Sequence, residues 1–354
     1  MDVFVVGGGP AGLAAAIAVR RQGMSVVVAD GENPPIDKPC GEGLMPDSLI
    51  AAARLGLRIS ESSGYPFRGI RFQTAHHSVE ADFSHGSGIG VRRTLLHSAL
   101  IRVAEHAGVE MRWGSPVSLR ENIRARWIVG ADGASSLVRR WAGLDATISA
   151  SRRFARRRHF AAAPWSDRVE IYWAEGCQAY VTPVAAHEVC VALISRTPGL
   201  RLEDGLRRFP ALAARLHAGS ETTRERGSVT GTVRLRAVAR DKIALIGDAS
   251  GSVDAIAGEG ICLSLRQAEL LARSLAKGDL SLYNREHPRL ARRARLMAAT
   301  MLQLDRGEFV RQRAMSLLAA RPAIFRCLLD AHTQPGIITL NEIRREYDDL
   351  VGAI

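Results

Sequence analysis

The sequence predicts an α/β protein in which a β-rich segment interrupts a parallel-sheet domain and a helical region follows. Three observations lead to this fold class. Residues 2–6 form a buried apolar strand that runs into a glycine loop and an Ala/Leu-rich helix over residues 10–22, as a βαβ unit begins. Residues 152–194 change to short strands separated by turns, and residues 242–246 return to a buried apolar strand. From residue 281 to the end the pattern is helical and rich in arginine.

The remaining elements follow from the same periodicities in chain order. Helix positions are marked by apolar residues at three- and four-residue spacing, and strands by short apolar or alternating runs. Further strands are expected at 25–29, 109–113, 126–130 and 227–235, and further helices at 93–107 and 259–276. The nucleotide-binding part is then discontinuous, with the β-rich insertion forming a second layer.

Composition narrows the classes of function. The chain has 354 residues, and 47% of them are hydrophobic, which suits a globular protein with full cores. The five cysteines form no CxxC pair and are odd in number, so we expect reduced thiols, a cytoplasmic protein and no metal site. The N-terminal apolar run leads into the glycine loop and is expected to be a strand rather than a targeting segment.

The net charge of +12 raises the question of nucleic acid. Only three of the 48 basic residues are lysines, namely Lys38, Lys242 and Lys277, and the arginines are spread along the chain. We interpret this mainly as a compositional habit and predict no nucleic-acid partner. The rest of the excess charge fits a phosphate-bearing cofactor, an acidic ligand or an anionic membrane surface.

The segment from Gly7 to Gly12, GGGPAG, has the G-x-G-x-x-G spacing between a strand and a helix. Gly7 permits the tight turn, Gly9 lets a pyrophosphate approach the backbone, and Gly12 lets helix and strand pack closely. The helix N-terminus then offers free N–H groups to the phosphates. Asp30 follows the second strand, where its carboxylate can accept the hydroxyls of an adenosine ribose. These features together predict a dinucleotide site.

Three more glycine segments accompany this motif. Residues 129–136, VGADGASS, end a strand, and so do residues 244–251, ALIGDASG. The Gly258-Glu259-Gly260-Ile261 segment then opens a helix whose N-terminal N–H groups would face the electron-rich edge of a flavin. A fourth segment, residues 38–44, reads KPCGEGL and places Cys40 between a proline and two glycines.

In this order the segments resemble the p-hydroxybenzoate hydroxylase superfamily of FAD proteins. KPCGEGL and GDASGSVDAIAGEGI are most similar to its geranylgeranyl reductase branch, and VEIYW with YVTP fits the substrate sheet of that branch. The resemblance covers roughly residues 1–275. It departs at Ala255, where the branch usually has proline, and at Thr182, where it usually has an aromatic residue. Where hydroxylases usually carry a histidine, this chain has Gly251.

The resemblance implies bound FAD, with NAD(P)H as a transient electron donor that needs no nucleotide loop of its own. It implies a FAD-binding domain over 1–64, 86–150 and 236–280, a substrate-binding β-sheet domain over 65–85 and 151–235, and a C-terminal helical region over 281–354. The expected cofactor-binding residues are Gly7, Gly9, Pro10, Ala11, Gly12, Asp30, Gly41, Gly43, Arg93, Asp132, Gly247, Asp248, Gly258, Gly260 and Ile261.

The expected function is a FAD-dependent oxidoreductase that acts on a hydrophobic prenyl, lipid or polyketide-like molecule. Two chemistries are open: reduction of a C=C bond, or monooxygenation of an aromatic or polyketide substrate with O2 and NAD(P)H. A redox-neutral flavin-dependent cyclase is a further alternative. Tyr172, Trp173 and Tyr180 are candidate substrate contacts, and Cys40 and Glu259 are candidate catalytic residues.

Several of these residues have plainer interpretations. Asp132 can cap a helix, Glu259 can be a favourable acid in a first helical turn, and Cys40 can be a small residue packed at the flavin. The five arginines among residues 152–158 predict a solvated strand edge, with an anion site as the alternative. The arginines of the C-terminal region form either a solvated face or a surface for a membrane or lipid carrier.

Overall fold

The computed structural model describes residues 1–60, 63–118, 123–217 and 219–333. The helices are α1 (Pro10–Arg21), α2 (Pro46–Arg54), α3 (Arg93–His106), α4 (Leu137–Trp141), α5 (Leu202–Leu206), α6 (Pro210–His217), α7 (Gly260–Ala276), α8 (Leu280–Leu290), α9 (Arg292–Arg306), α10 (Glu308–Ala320) and α11 (Pro322–Thr333). The early strands are β1 (Val3–Val6), β2 (Val26–Ala29), β3 (Gly43–Leu44), β4 (Tyr65–Phe67), β5 (Gly69–Gln73), β6 (Ser78–Asp82), β7 (Gly88–Gly90), β8 (Glu110–Arg112) and β9 (Trp127–Gly130). The later strands are β10 (Thr147–Ala150), β11 (Arg153–Phe160), β12 (Val169–Ala174), β13 (Cys177–Ala185), β14 (Glu188–Ser195), β15 (Arg226–Thr230), β16 (Val233–Leu235), β17 (Ala239–Arg240) and β18 (Ile243–Leu245).

A mostly parallel sheet in the order β17-β18-β9-β1-β2-β8 forms the predicted nucleotide-binding fold. Strand β1 lies between β2 and β9, with Val5 opposite Val28 and Val129. Both faces of the sheet are covered, so these strands are continuous apolar runs rather than alternating ones. The alanines of α1 let that helix pack closely between the sheet, α3 and α7 in one large core.

A second, seven-stranded sheet has the order β15-β11-β14-β13-β12-β5-β6. All neighbouring pairs are antiparallel except β12 with β5. The arginine-rich strand β11 pairs with β14 on one side and β15 on the other, so the expectation of a solvated edge is wrong. Arg153 and Arg157 are buried on one face of this strand because alternate residues share a face.

The strand predicted at 227–235 is two strands in the structure. β15 ends at Thr230 and pairs with β11, whereas β16 begins at Val233 and pairs with β10. Gly231 between them has φ +149°, and a Cβ there would collide with the carbonyl oxygen of Ser151. The chain therefore turns at this glycine and leaves the large sheet.

The C-terminal helices cover the face of the large sheet that carries Trp173 and Tyr180. Met301, Met315 and Phe325 from α9, α10 and α11 pack there in a second core. Ser84 donates a hydrogen bond to Asp330 at 2.6 Å, which attaches α11 to the loop after β6. The predicted helical region is thus present as far as Thr333, and residues 334–354 lie outside the described residues.

A helix that is long and apolar enough to span a membrane is not found within residues 1–333 as far as the structure describes them.

Candidate active site

The glycine loop lies at the carboxyl end of β1, where α1 begins. Gly7 has φ +109°, and Cβ atoms at Gly7 or Gly12 would collide with backbone oxygens, those of Ala131 and Gly7 respectively. A Cβ at Gly9, in contrast, would have nothing within 4 Å. Pro10 is the first residue of α1 and Ala11 follows it. The loop is therefore tightly packed on the protein side and open at Gly9, as a pyrophosphate cradle requires.

Asp30 lies at the end of β2 beside this loop. Its Oδ2 accepts the Gly8 N–H at 2.6 Å and its Oδ1 accepts the Glu32 N–H at 2.8 Å. The carboxylate is only partly buried, so lone pairs remain for further donors. This position fits the predicted contact with ribose hydroxyls.

Arg93 is the first residue of α3 and is buried. Its terminal nitrogen NH1 is buried without a hydrogen-bond partner among the described residues. Burial lowers the pKa of Arg93, and the Cys40 thiol and nearby carboxyls, including Asp248, oppose that shift. A buried guanidinium with a free donor is costly unless an anion or polar group receives it. The structure thus gives an independent reason for a phosphate or ribityl oxygen here.

Asp248 lies in the 3₁₀ segment Gly247–Ser250 after β18. Its side chain is accessible to solvent, yet protein surrounds it closely enough for burial to raise the pKa of its carboxyl. Lys38 and Arg93 oppose that shift. This carboxyl lies within electrostatic reach of Arg93.

The second group of predicted glycines lies beside Asp248. Gly247 has φ +61°, and its N–H donates to the Gln267 side chain at 2.9 Å. Gly258 has φ +68°, and Cβ atoms at Gly258 or Gly260 would have nothing within 4 Å. Helix α7 begins at Gly260 and continues with Ile261, so its free N–H groups and partial positive charge lie beside two unobstructed glycines.

Gly251 explains one departure from the hydroxylase pattern. Its φ is +99°, and a Cβ at this position would approach the carbonyl oxygen of Val233 to 2.6 Å. A histidine would be strained here both by its backbone and by this contact. The backbone of this chain therefore excludes the histidine that hydroxylases usually carry at the position.

The structure gives Asp132 the plainer of its two roles. Oδ1 accepts from the Ser136 hydroxyl at 2.5 Å, and Oδ2 accepts the N–H groups of Leu137 and Val138 at 2.6 and 3.1 Å. The carboxylate is thus engaged in capping α4. In this geometry, only the backbone around Asp132 is left for the predicted cofactor contact.

The KPCGEGL loop lies against both the nucleotide-binding fold and the large sheet. Cys40 is half-buried, and a Cβ at neighbouring Gly41 would have nothing within 4 Å. Gly43 faces the methyl group of Thr182, at 3.6 Å from a Cβ built on it. Burial raises the pKa of the Cys40 thiol; Arg93 opposes the shift and Glu42 adds to it. Cys40, Arg93 and Asp248 thus belong to one electrostatic neighbourhood, which we call the cleft.

Glu259 is buried in ion pairs at the N-terminus of α7. Its Oε1 lies 2.8 Å from His332 Nδ1 on α11, and its Oε2 lies 3.6 Å from Arg293 on α9. Burial disfavours the charged form, but the positive charges of His332 and Arg293 outweigh it and lower the pKa of Glu259. This geometry fits attachment of the C-terminal helices better than the predicted catalytic role.

The three predicted substrate residues do not share a face of the large sheet. Trp173 and Tyr180 pack with Ile256 beneath the C-terminal helices, and the Tyr180 hydroxyl donates to the Ile256 carbonyl at 2.9 Å. Tyr172 packs on the opposite face against Phe209. Side chains alternate along β12, so Tyr172 and Trp173 cannot point the same way. The prediction that Tyr172 contacts the substrate together with Trp173 and Tyr180 is therefore wrong.

Two histidines were not recognised from the sequence. His97 is buried, Ile36 N–H donates to its Nδ1 at 3.2 Å, and its Nε2 lies 2.8 Å from the Gly8 carbonyl oxygen. Since Nδ1 accepts, Nε2 carries the proton and donates to the glycine loop. Burial lowers the pKa of His97. In the sequence, the only indication of this role was that His97 lies one helical turn after Arg93.

His159 is the second, and it pairs with the equally unrecognised Glu42. With Cys190 these residues are close enough to share a metal ion. Both Glu42 oxygens already accept hydrogen bonds, and the Arg157 guanidinium donates to His159 Nδ1 at 3.2 Å. A fixed positive charge at that nitrogen opposes a cation, so we assign no metal to this group.

Comparison with known proteins indicates the same class of protein as the site geometry, namely one that binds FAD. A sequence profile described as "FAD binding domain" matches residues 1–121 and 117–279. Menaquinone reductase of Mycobacterium tuberculosis is 29% identical over 322 residues, covering 79% of this chain and 78% of the relative. Digeranylgeranylglycerophospholipid reductase 1 of Methanococcoides burtonii is 25% identical over 318 residues, covering 79% and 76%. Rifampicin monooxygenase of Streptomyces venezuelae is 32% identical, but over only 40% of this chain and 34% of that protein.

Solved structures share the fold along nearly the whole chain. A flavoprotein/dehydrogenase from Cytophaga hutchinsonii superposes with a TM-score of 0.80 at 19% identity, covering 94% of this chain and 92% of its own. A geranylgeranyl bacteriochlorophyll reductase-like protein from Thermoplasma acidophilum gives 0.74 at 19% identity, covering 99% and 98%. The chain therefore belongs to the FAD-binding-domain family within the p-hydroxybenzoate hydroxylase-like superfamily and is a FAD-dependent oxidoreductase with geranylgeranyl reductase-like neighbours.

Proposed function

We propose that this enzyme reduces a C=C bond of a hydrophobic prenyl or lipid substrate, using electrons that a nicotinamide delivers to FAD. The observation that carries the proposal is the extent of similarity: the two reductases match about four fifths of the chain. Their names specify a quinone and a lipid. The match to the monooxygenase covers less than half of this chain.

The cofactor residues proposed above fit a bound FAD. Gly7, Gly9 and Gly12 would hold the pyrophosphate, Asp30 the adenosine ribose, and Arg93 with Asp248 the phosphate or ribityl oxygens. A bound FAD, once reduced by the nicotinamide, would supply the hydride for C=C reduction. Gly258 and Gly260 leave the N-terminus of α7 unobstructed, and its partial positive charge would stabilise negative charge on the pyrimidine edge of a bound flavin.

We propose that the substrate lies along the face of the large sheet that carries Trp173 and Tyr180, beneath the C-terminal helices. These two side chains are buried in an apolar cluster with Ile256, and Trp173 Nε1 is buried without a partner among the described residues. Reduction of C=C needs a proton as well as a hydride. Cys40 is the protonated side chain that we propose as its donor, because its raised pKa keeps the thiol neutral at neutral pH. We also keep the three-part domain division given above as a proposal.

The nature of the product distinguishes the chemistries. FAD-loaded protein, reduced with dithionite under anaerobic conditions, is given a polyprenyl quinone whose ring is already reduced to the quinol, so that only the prenyl C=C bonds can accept hydrogen, and the product is analysed by mass spectrometry. Reduction predicts a gain of two hydrogens without O2. A product that gains one oxygen atom, and only in air, would establish a monooxygenase instead. An isomer of unchanged mass would indicate a cyclase.

Access to such a substrate would come through the C-terminal helices. Leu296, Phe309, Val310 and Leu317 are exposed on α9 and α10, near the exposed Arg292, Arg306 and Arg313. Exposed apolar side chains among arginines suit contact with an anionic membrane surface or lipid carrier.

Sedimentation with vesicles tests this contact. We expect binding to vesicles that contain phosphatidylglycerol, weaker binding to pure phosphatidylcholine, and a loss of binding in Phe309→Ser. Leu137→Ser, which replaces an exposed apolar residue of α4, is the control. Equal recovery of both variants and the parent with either vesicle would contradict a membrane role for this face.

A further inference from the structure

A buried pair behind Cys40, formed by Glu42 and His159, has no part in the roles given above. Glu42 is 3% exposed and His159 is 0% exposed. Glu42 Oε2 lies 2.6 Å from His159 Nε2. A buried carboxylate is unfavourable unless donors satisfy it, so the surroundings of this pair determine what it can do.

The hydrogen bonds define the charge of the pair. Arginine can only donate, and Arg157 donates to His159 Nδ1 at 3.2 Å, so Nδ1 accepts. The Thr223 hydroxyl, 2.9 Å from the same nitrogen, can donate as well. The ring proton is then on Nε2, which donates to Glu42. A neutral imidazole therefore supports a negatively charged carboxylate.

Glu42 connects Cys40 to Arg93. Its Oε1 accepts the Arg93 backbone N–H at 2.9 Å, and its own N–H points to Cys40 Sγ at 3.4 Å. Its carbonyl oxygen accepts the Val91 N–H at 2.9 Å. These contacts hold a backbone with φ +60°, a conformation that non-glycine residues adopt rarely. The Glu42 contacts therefore fix the Cys40 thiol relative to the backbone at the start of α3, the helix that carries Arg93.

The large sheet holds the same loop from its other side. His159 and Arg157 both belong to β11, and Arg157 pairs with Asp37 just before Cys40. Cys190 of β14 donates its S–H to the Cys40 carbonyl at 3.7 Å. The loop at the cleft is thus fixed by the sheet that would carry the substrate.

We propose that Glu42, supported by neutral His159, is a positioning residue that holds Cys40 at the cleft and opposes a negative charge on its sulfur. Cys40 then serves as a proton donor rather than as a nucleophile: its S–H bond breaks as a C–H bond forms on the substrate carbon next to the one that takes hydride from reduced flavin. Water returns the proton to the sulfur afterwards. The role of Cys40 as proton donor to the substrate rests on the proposed function. The effect of Glu42 on the charge of the Cys40 sulfur does not.

The charges around Cys40 come from every neighbouring element. Arg93 of α3, Arg157 of β11 and the backbone N–H of Glu42 favour the thiolate, whereas the charge of the Glu42 carboxylate disfavours it. Further groups of the same loop and sheet are Asp37, Lys38, His159 and Cys190, and Asp248 lies within electrostatic reach of Arg93 and Lys38. Burial raises the pKa of Cys40 first of all, so removal of the Glu42 charge should lower it without restoring an ordinary thiol.

Alkylation of Cys40 tests the proposal without substrate or turnover. FAD-loaded protein is treated with iodoacetamide from about pH 6 to about pH 10, and the Cys40 peptide is quantified by mass spectrometry. Glu42→Gln removes the charge at nearly constant shape and should speed alkylation at neutral pH about tenfold, as a midpoint shift of about one pH unit implies. His159→Gln keeps an N–H donor for Glu42 and should leave the midpoint unchanged.

A second variant protects the test against misfolding of Glu42→Gln. His159→Phe deprives Oε2 of its donor, so Glu42 should no longer be held against Cys40 and alkylation should again accelerate. A purely structural role predicts the parental pH midpoint in every variant that retains FAD, and that result would overturn the proposal. The test is independent of the proposed function. Unchanged alkylation would not contradict C=C reduction, and the expected alkylation would also be compatible with a different reaction.

Discussion

At the scale of residues, the clearest indication of a ligand in the cleft is a buried polar group without a hydrogen-bond partner. Arg93 is the clearest, because its buried NH1 has no acceptor among the described residues. Its neighbour Arg92 differs in this respect, since it pairs with Glu188 at 2.6 Å. The two arginines are adjacent at the start of α3, so they form a matched pair for mutation.

We predict that Arg93→Ala weakens FAD binding by one to two orders of magnitude, because a hydrogen bond to a charged group contributes about 1.5–3 kcal/mol. Arg92→Ala should change the affinity by less than about threefold. Flavin fluorescence during titration of the apoprotein measures both. Equal affinities for the two variants would remove Arg93 from the cofactor site.

At the scale of elements, the glycines of the loop between β1 and α1 have two different functions, one in packing and one in ligand binding. Gly12 packs on the backbone of Gly7, so a side chain there disturbs the fold. Gly9 has φ −69° and ψ 179°, and a Cβ on it would have nothing within 4 Å. Alanine can therefore replace Gly9 in the apoprotein but would occupy the space proposed for the pyrophosphate.

We predict that Gly9→Ala keeps the urea midpoint of the apoprotein and lowers FAD affinity at least about tenfold, whereas Gly12→Ala lowers the midpoint itself. Circular dichroism during urea unfolding and flavin titration measure the two effects. Unchanged FAD affinity in Gly9→Ala would contradict the location of the pyrophosphate.

The sequence was sufficient for elements with strong local signals. β1, α1, β2, α3, β9 and α7 follow directly from apolar periodicity and glycine spacing, and the superfamily follows from the order of the glycine segments. The sequence was insufficient where contacts between distant parts of the chain determine the local structure. The break at Gly231 depends on the approach of Ser151, and the burial of Arg157 depends on Asp37 and on strand pairing at both edges of β11. The Glu42–His159 pair joins residues 117 positions apart, which no local pattern reveals.

At the scale of the whole molecule, buried histidines link stability to pH. His287 of α8 is buried against Tyr283 and lies 2.9 Å from the Ser250 hydroxyl, beside the Asp248 segment. Burial lowers the pKa of His287 from 6.5 to about 4. The unfolded protein therefore binds a proton in a pH range where the native protein does not. The stability contribution is complete above about pH 6.5 and is lost as the pH falls towards about 4.

We predict that the free energy of unfolding falls on acidification by roughly 3 kcal/mol on account of His287, since one pKa unit corresponds to about 1.4 kcal/mol. His287→Gln should flatten the curve between about pH 7 and about pH 4 by that amount. Urea unfolding of both proteins at several pH values measures it. Parallel curves would show that His287 titrates normally. His97, whose pKa is also lowered by burial, adds a slope of the same sign in both proteins.

The most direct measurement of the central claim is anaerobic reoxidation of the reduced, enzyme-bound flavin. Protein reduced with one equivalent of dithionite is mixed with a polyprenyl quinone whose quinone ring is already reduced, so that only the C=C bonds of its prenyl tail can accept the electrons. The account predicts that oxidised flavin absorbance returns with one C=C reduced per flavin, and that Cys40→Ala slows the return while Cys177→Ala does not. Flavin that stays reduced under these conditions, yet reoxidises in air with oxygenation of the substrate, would contradict the account.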